Sequence, residues 1–564
     1  MISQPWLQHY DEGVPASLQP YPDTTLVDAV AEAARQRPDH PALLFKGTVV
    51  TFGQLDRLST AFAAELAAEG VRKGDRVALV LPNCPQFVIG QFGIWKTGGI
   101  VVPINPIYTE RELALALSES GAGIALVLTR LYDRVKAVQA GTSVRRVIAT
   151  NIKEYLPRLQ ALLFTLLREK KEGHRITLAE NDRWLRGVLA SGAKRPAPLV
   201  RPLPDDPAVL LGSGGTTGTP KAAIGAHRVY MQAGIQLRAW TGSVFEKYTD
   251  IILLPLPLFH VYANVGVQAM AIVGHNPVAL VPNPRDIDDL LKTIRKVRPA
   301  FFAGVPTLFN AILNHPSVGA GRVDLSSIKI CFSGASALLA ETRRQFVEMT
   351  RGHIVEGYSL TEGMMACILN PVKGEAKNGS IGMPLPDVKI QIVDADDSSQ
   401  PLGPNQVGEL IMQAPQLMTG YWRNPGETAV VLRQRPDGGT WLHTGDIGYA
   451  DEDGYVYLVD RKKDLIKTSG FQVWPREIEE VLAAHPSIVE VAAAGVADTV
   501  KGEVVKAWVV LKEGTAASED DLRRWCRERL APYKVPATIE FRSELPKSLV
   551  GKVLRRALTG RQPA

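Results

Sequence analysis

The chain is poor in cysteine, in long apolar runs and in any excess of one charge sign, and each shortage closes off a class of protein. Its four cysteines, Cys84, Cys331, Cys367 and Cys526, lie far apart and form no C-x-x-C pair. That argues against a disulfide framework or a zinc site and fits a reducing compartment. No uninterrupted apolar run approaches the roughly 18 residues expected of a membrane span. The opening MISQPWLQHYDEGVPASL has neither a basic leader nor an apolar core, so no secretory signal is expected. The final GRQPA is not a peroxisomal address. With 64 basic against 58 acidic residues and no dense Lys/Arg block, nothing points to a nucleic-acid partner. The cytoplasm is the expected location.

What is present is ordinary globular material in quantity, 45% hydrophobic and 22% charged over 564 residues. One hydrophobic core rarely serves such a length, so two or more structural units are expected. Aliphatic runs at 76–82, 99–106, 123–129, 144–150, 251–259, 301–306 and 328–334 read as buried strands. Helical patterns between them, such as 54–70, predict an α/β fold with covered, largely parallel sheets. A proline-rich connection, PAPLVRPLPDDP (196–207), leads into the centre of the chain. Near Asp460 to Asp464 a charge cluster separates this large region from a different tail. The tail carries helical patterns at 477–485 and 519–530 and strand patterns at 490–496 and 503–511, which suits a small α+β domain.

Four segments have residue types suited to chemistry. In GSGGTTGTPK (212–221) a buried-strand pattern enters a loop of glycines and threonines that ends in Lys221. Glycine backbones form anion-binding nests, and hydroxyls and an ammonium complete a phosphate site. The spacing fits neither the Walker loop nor G-x-G-x-x-G, so the residues alone give a phosphate loop of unnamed type. In GYSLTE (357–362), Tyr358 could stack on a base, and Thr361 and Glu362 offer hard oxygens to Mg²⁺. Its competing reading is a helix start capped by Ser359 and boxed by Glu362, which is favoured when the segment is taken alone. Asp446, after Thr444-Gly445, is placed to accept ribose hydroxyls, or equally is a β-turn aspartate. Lys552, in PKSLVGKVLRR, is either part of a mobile tail or a point charge delivered to a phosphate.

In this order and at these separations the four segments resemble the adenylate-forming superfamily of acyl-CoA synthetases. GSGGTTGTPK is similar to its signature ending in T-G-x-P-K, and GYSLTE to its Y-x-x-T-E motif. HTGDIGYADEDGYVYLVDRKKDLI resembles its T-G-D and D-R-x-K-D block, and SLVGKVLRR its G-K-x-x-R-R tail. GELIMQAPQLMTGYWRNPGETA (408–429) and SGFQVWPREIEE (469–480) match two further blocks. DRKKDLI, LPLPLFHVYAN (254–264) and the opening residues look most like the bacterial long-chain fatty acid–CoA ligases. Leu211-Gly212, Ala222, SGASAL and Trp474 depart from the usual pattern, and none removes a side chain with an implied role.

The resemblance implies a multi-sheet adenylating domain over residues 1–460 and a small C-terminal domain over 461–564 that rotates between half-reactions. It implies ATP, Mg²⁺, coenzyme A and a fatty acid as reactants. Ser213, Gly214, Gly215, Thr216, Thr217, Gly218, Thr219 and Lys221 correspond to the phosphate-holding loop, with Thr216 and Glu362 on Mg²⁺. Gly334, Ala335, Ser336, Gly357, Tyr358 and Ser359 surround adenine, Thr361 meets the α-phosphate, and Asp446 and Arg461 take the ribose hydroxyls. Lys552 reaches the α-phosphate during adenylation, and His260 stands beside the acid's carboxylate or the pocket mouth. Lys463 maps to the hinge, and Ser469, Gly470 and Phe471 line the pantetheine channel. Alternatives at this point are a medium-chain or aromatic acid, adenylation without coenzyme A, and a silent lipid-binding relative of the fold. Leu156, Leu159, Leu163 and Leu166 give the 154–171 segment one apolar helix face with Arg168, Lys170 and Lys171 beyond it. That face either rests peripherally on the inner membrane surface or packs on the domain itself. A homodimer is the expectation drawn from related enzymes.

Overall fold

Short aliphatic segments bounded by proline, glycine and capping residues fold into sheets with helices against their faces. A computed structural model describes residues 4–559 apart from 199, 214–220, 336, 337, 339, 436, 437, 462, 463, 469, 470, 499–501 and 548–552. Among the described residues four sheets form. In the first, parallel strands His353–Tyr358, Ile330–Ser333, Phe301–Gly304, Ile252–Leu254, Val278–Leu280 and Pro41–Phe45 lie side by side. In the second, Pro207–Ser213, Ile100–Pro103, Arg76–Val80, Ile124–Leu128 and Arg146–Thr150 are parallel neighbours. Near-continuous burial of Arg76–Val80, Ile100–Pro103, Ile124–Leu128, Phe301–Gly304 and Ile330–Ser333 matches their aliphatic sequences. A third, antiparallel sheet contains Gly408–Gln413, Thr440–Ala450 and Val456–Arg461.

Local chemistry sets the element ends. Thr51 and Gln54 form a capping box that opens the helix Phe52–Ala68, two residues ahead of the expected 54–70 at each end. The 251–259 run gives a strand only over Ile252–Leu254, because Pro255 and Pro257 have no N–H to continue a ladder. The segment around 208–226 is a hairpin: Pro207–Ser213 pairs antiparallel with Lys221–Ala226, and the helix begins only at His227.

One large core runs from Trp6 to Val456 and a separate one begins at Ile466. The second core belongs to a small sheet of Phe471–Val473, Ile466–Thr468, Gly502–Leu511, Ile488–Asp498 and Thr538–Phe541. Helices Pro475–Ala483 and Glu519–Arg527 cover it, the latter opened by a Ser518/Asp521 capping box. Polar contacts join the two regions. Arg476 Nη1 donates to the Leu458 carbonyl at 2.8 Å, and Arg555 Nη1 reaches Asp464 at 3.0 Å and Asp460 at 3.3 Å.

The helix Arg158–Leu167 has no buried residue, and Leu159, Leu162, Leu163, Leu166 and Leu167 are all exposed. Of the four leucines of the expected face, Leu156 packs against the large core, whereas Leu159, Leu163 and Leu166 do not pack onto the domain. Among the described residues, no helix is long and apolar enough to cross a membrane. All four cysteines are buried thiols.

Candidate active site

The first and third sheets, with the hairpin of the second, supply one set of polar side chains. Strand Pro207–Ser213 ends in buried Ser213, which faces Lys221 across the antiparallel ladder. Gly214 to Thr219 lie outside the described residues, as do Ser336, Lys463, Ser469, Gly470 and Lys552. Phe471 is described through its strand alone, where it pairs with Thr468.

Lys221 Nζ meets Glu427 Oε2 at 2.5 Å and lies 5.4 Å from the centre of the Tyr421 ring. Tyr421 Oη in turn donates to Glu362 Oε1 at 2.7 Å. The Met418 N–H donates to the Glu362 carbonyl at 3.0 Å, which ties the backbone of Glu362 to the segment leading to Tyr421. Lysine and carboxylate are thus connected through one phenol, and the lysine has a second carboxylate as its ion-pair partner. Burial, and then the adjacent Glu362 charge, push the Tyr421 hydroxyl far up, so it stays a donor.

Residues 361–363 form a single 3-10 turn preceded by Leu360, without a side-chain cap. The helix start expected of Ser359 and Glu362 is therefore wrong. Ser359 Oγ donates to the Ala366 carbonyl at 3.3 Å, and the glutamate is spent on Tyr421. Two consecutive left-handed residues, Met364 and Met365, then end the turn.

On the neighbouring strands, Ser333 pairs with Glu356, which sets Gly334 beside Gly357. A Cβ at Gly334 would stand 3.3 Å from the Tyr262 ring and 3.6 Å from the Gly357 carbonyl, and one at Gly357 would collide with Leu369. Tyr262 and Leu369 already pack against these glycines, so any side chain at either position would crowd them. Ala335 follows in the left-handed region at φ 71°.

Asp446 is not a turn residue but part of strand Thr440–Ala450, directly opposite Arg461. Arg461 Nε stands 3.1 Å from Asp446 Oδ1, while Tyr358 Oη donates to Oδ2 at 2.6 Å. The Asp446 N–H donates to Thr444 Oγ1 at 3.0 Å, and Thr444 is held to the Leu410 carbonyl. Burial, the largest single influence, opposes the Arg461 charge, but Asp446 together with Tyr358, Asp464 and Glu362 outweighs it and holds the guanidinium's pKa above its usual range. Burial, with Asp446 beside it, also keeps Tyr358 protonated.

His260 ends the proline-bounded segment after Ile252–Leu254, and its Nδ1 accepts the Tyr262 N–H at 3.4 Å. The structure therefore brings together Ser213, Lys221, Glu362 and Thr361 on one side, and Gly334, Gly357, Tyr358, Asp446 and Arg461 on the other. Sequence reading missed Tyr421, Glu427 and Tyr262. The first two sit in the 408–429 block, whose resemblance to the family implies no role for single residues.

Comparison with known proteins gives the family. Residues 30–422 match the AMP-binding enzyme family and residues 477–552 its C-terminal domain. The long-chain-fatty-acid–CoA ligase of Bacillus subtilis (strain 168) is 39% identical over 556 residues, covering 98% of this chain and 97% of that one. The long-chain-fatty-acid–CoA ligase of Escherichia coli O6:H1 is 37% identical over 559 residues, with 98% and 97% covered. The ATP-bound crystal structure of MatB from Rhodopseudomonas palustris superposes with a TM-score of 0.79 at 26% identity, covering 95% of this chain and 98% of that one. The chain belongs to the AMP-binding enzyme family, with its large adenylating domain and small C-terminal domain.

Proposed function

We propose that the chain is a long-chain fatty acid–CoA ligase. Near-full-length similarity to two bacterial ligases of that name carries the reading. A carboxylate is a poor acyl donor, because its leaving group is oxide. The enzyme first lets the acid's oxygen attack the α-phosphorus of ATP, which forms acyl-AMP and releases diphosphate. The coenzyme A thiol then attacks the acyl carbon, giving the thioester and AMP, with the thiol proton released to solvent. Displacement at phosphorus needs positioning and charge stabilisation above all.

In this reading Gly214 to Thr219 and Lys221 hold the departing phosphates. Gly334, Ala335, Ser336, Gly357, Tyr358 and Ser359 enclose adenine, and Asp446 with Arg461 takes the ribose hydroxyls. The Asp446–Arg461–Tyr358 cluster beside the Gly334–Gly357 strand ends supports that assignment. Thr361 meets the α-phosphate and His260 the acid. Glu362, with Thr216, holds Mg²⁺, which neutralises phosphate charge when bound. Among the described residues no three metal-ligating side chains converge. A single carboxylate with phosphate oxygens is a donor set that suits Mg²⁺.

The two cores, ending at Val456 and beginning at Ile466, support a domain boundary at 460/461 and a hinge at Lys463. Rotation there brings Lys552 to the α-phosphate for the first step, then Ser469, Gly470 and Phe471 to the pantetheine for the second. The exposed leucines of Arg158–Leu167 support peripheral contact with the inner membrane face by an otherwise cytoplasmic protein, and a homodimer completes the reading. The test is Lys552→Ala assayed in each half-reaction. Adenylation is lost while thiolysis of supplied acyl-AMP persists; equal loss in both contradicts the assignment.

A further inference from the structure

Asn264 is fully buried within the otherwise apolar stretch that follows His260. Its Oδ1 accepts from Tyr230 Oη at 2.7 Å and from Gln91 Nε2 at 3.3 Å, and its Nδ2 donates to the Leu258 carbonyl at 2.6 Å. Its backbone N–H donates to the His260 carbonyl at 2.9 Å. One amide thereby ties the 258–260 turn to two helices, Pro85–Trp95 through Gln91 and His227–Thr241 through Tyr230. A buried polar group with three partners fixes geometry, since losing any of them leaves an unpaired buried atom.

The held turn leads directly to the candidate site. Tyr262 opens a π-helix, Tyr262–Val267, a wide-turn form that clusters at functional sites. The Tyr262 ring stands against Gly334. Because the Tyr262 backbone N–H can only donate, His260 Nδ1 is the acceptor, and in the neutral ring the hydrogen sits on Nε2. A neutral imidazole of this tautomer presents an N–H to an anionic oxygen.

We propose that Asn264 is a positioning residue for acid activation: it locks the Leu258–Tyr262 turn so that the His260 N–H meets the substrate carboxylate. The proposal rests on the reading of His260 given above. The test is diphosphate release with palmitate and ATP for Asn264→Ala, Tyr230→Phe, His260→Ala and each of the first two combined with His260→Ala. Asn264→Ala lowers kcat/KM for palmitate about tenfold or more, leaves KM for ATP unchanged, and adds nothing to the loss in His260→Ala. Tyr230→Phe removes one hydroxyl without opening a cavity, changes kinetics in the same direction by less, and serves if Asn264→Ala does not fold. Losses that multiply in the double variants, or KM for ATP rising in step, overturn the proposal while leaving His260 its role. If His260→Ala leaves palmitate kinetics intact, the reading of His260 falls and the proposal falls with it.

Discussion

Tyr421 donates its phenolic hydrogen to Glu362 at 2.7 Å, while its ring lies under the ammonium of Lys221. The carboxylate assigned to the metal is thus oriented by a neighbour 59 residues further along the chain. Tyr421→Phe keeps the ring and loses the hydrogen bond. The Mg²⁺ concentration for half-maximal adenylation then rises about tenfold, as for other supports of a metal ligand, with kcat restored at saturating Mg²⁺. A loss of kcat that Mg²⁺ cannot restore contradicts this role.

Lys221 is paired with Glu427 at 2.5 Å, and the glutamate side chain is 43% exposed against 15% for the lysine. The exposed partner is the one that swings into water when a phosphate arrives. Glu427→Gln therefore lowers KM for ATP, whereas Lys221→Met raises it about tenfold; neither changes KM for the acid. Steady-state kinetics with each substrate varied separately checks both signs.

Asp446 accepts from Tyr358 and pairs with Arg461, so its carboxylate is already oriented for two donors. A site built around hydroxyl recognition discriminates strongly against an analogue that lacks one. The wild type is expected to use 2′-deoxy- or 3′-deoxy-ATP poorly, and Asp446→Asn to lose most of that discrimination along with affinity for ATP. Unchanged discrimination would remove the ribose assignment.

Exposed leucines on Arg158–Leu167, with Arg168, Lys170 and Lys171 after them, predict binding to anionic vesicles. Replacing Leu159, Leu163 and Leu166 by serine is expected to abolish co-sedimentation with phosphatidylglycerol vesicles and leave activity on short soluble acids unaltered. Retained co-sedimentation places membrane contact elsewhere.

His227 opens the helix after the 208–226 hairpin, and burial lowers its pKa to about 4. The unfolded ring titrates near 6.5. Between these values the unfolded chain binds a proton that the folded chain does not. Its contribution is therefore complete above pH 6.5 and lost as pH falls toward 4, by at most about 1.4 kcal/mol per pH unit. His227→Gln is expected to flatten the fall of the thermal midpoint between pH 6.5 and 4.5; parallel curves for both proteins contradict it.

Much of the parallel framework was legible because its strands are buried on both faces and read as aliphatic runs, as at 76–80 and 124–128. The hairpin after Ser213 was not, because Lys221–Ala226 is made of small residues without a strand pattern. The sequence leaves Asp446 equally a ribose ligand or a β-turn aspartate, and its strand becomes clear only with Arg461 opposite. The capping-box reading of Ser359 and Glu362 failed because a distant tyrosine claimed the carboxylate. Such pairings join residues far apart in the chain, and local spacing carries no trace of them.

Incubating the purified protein with ATP, Mg²⁺ and palmitate, with and without coenzyme A, and measuring AMP and thioester tests whether the chain is a ligase. With coenzyme A, a ligase yields palmitoyl-CoA and AMP in equal amounts, with little AMP in its absence. Accumulating acyl-adenylate that coenzyme A leaves unchanged would contradict that function.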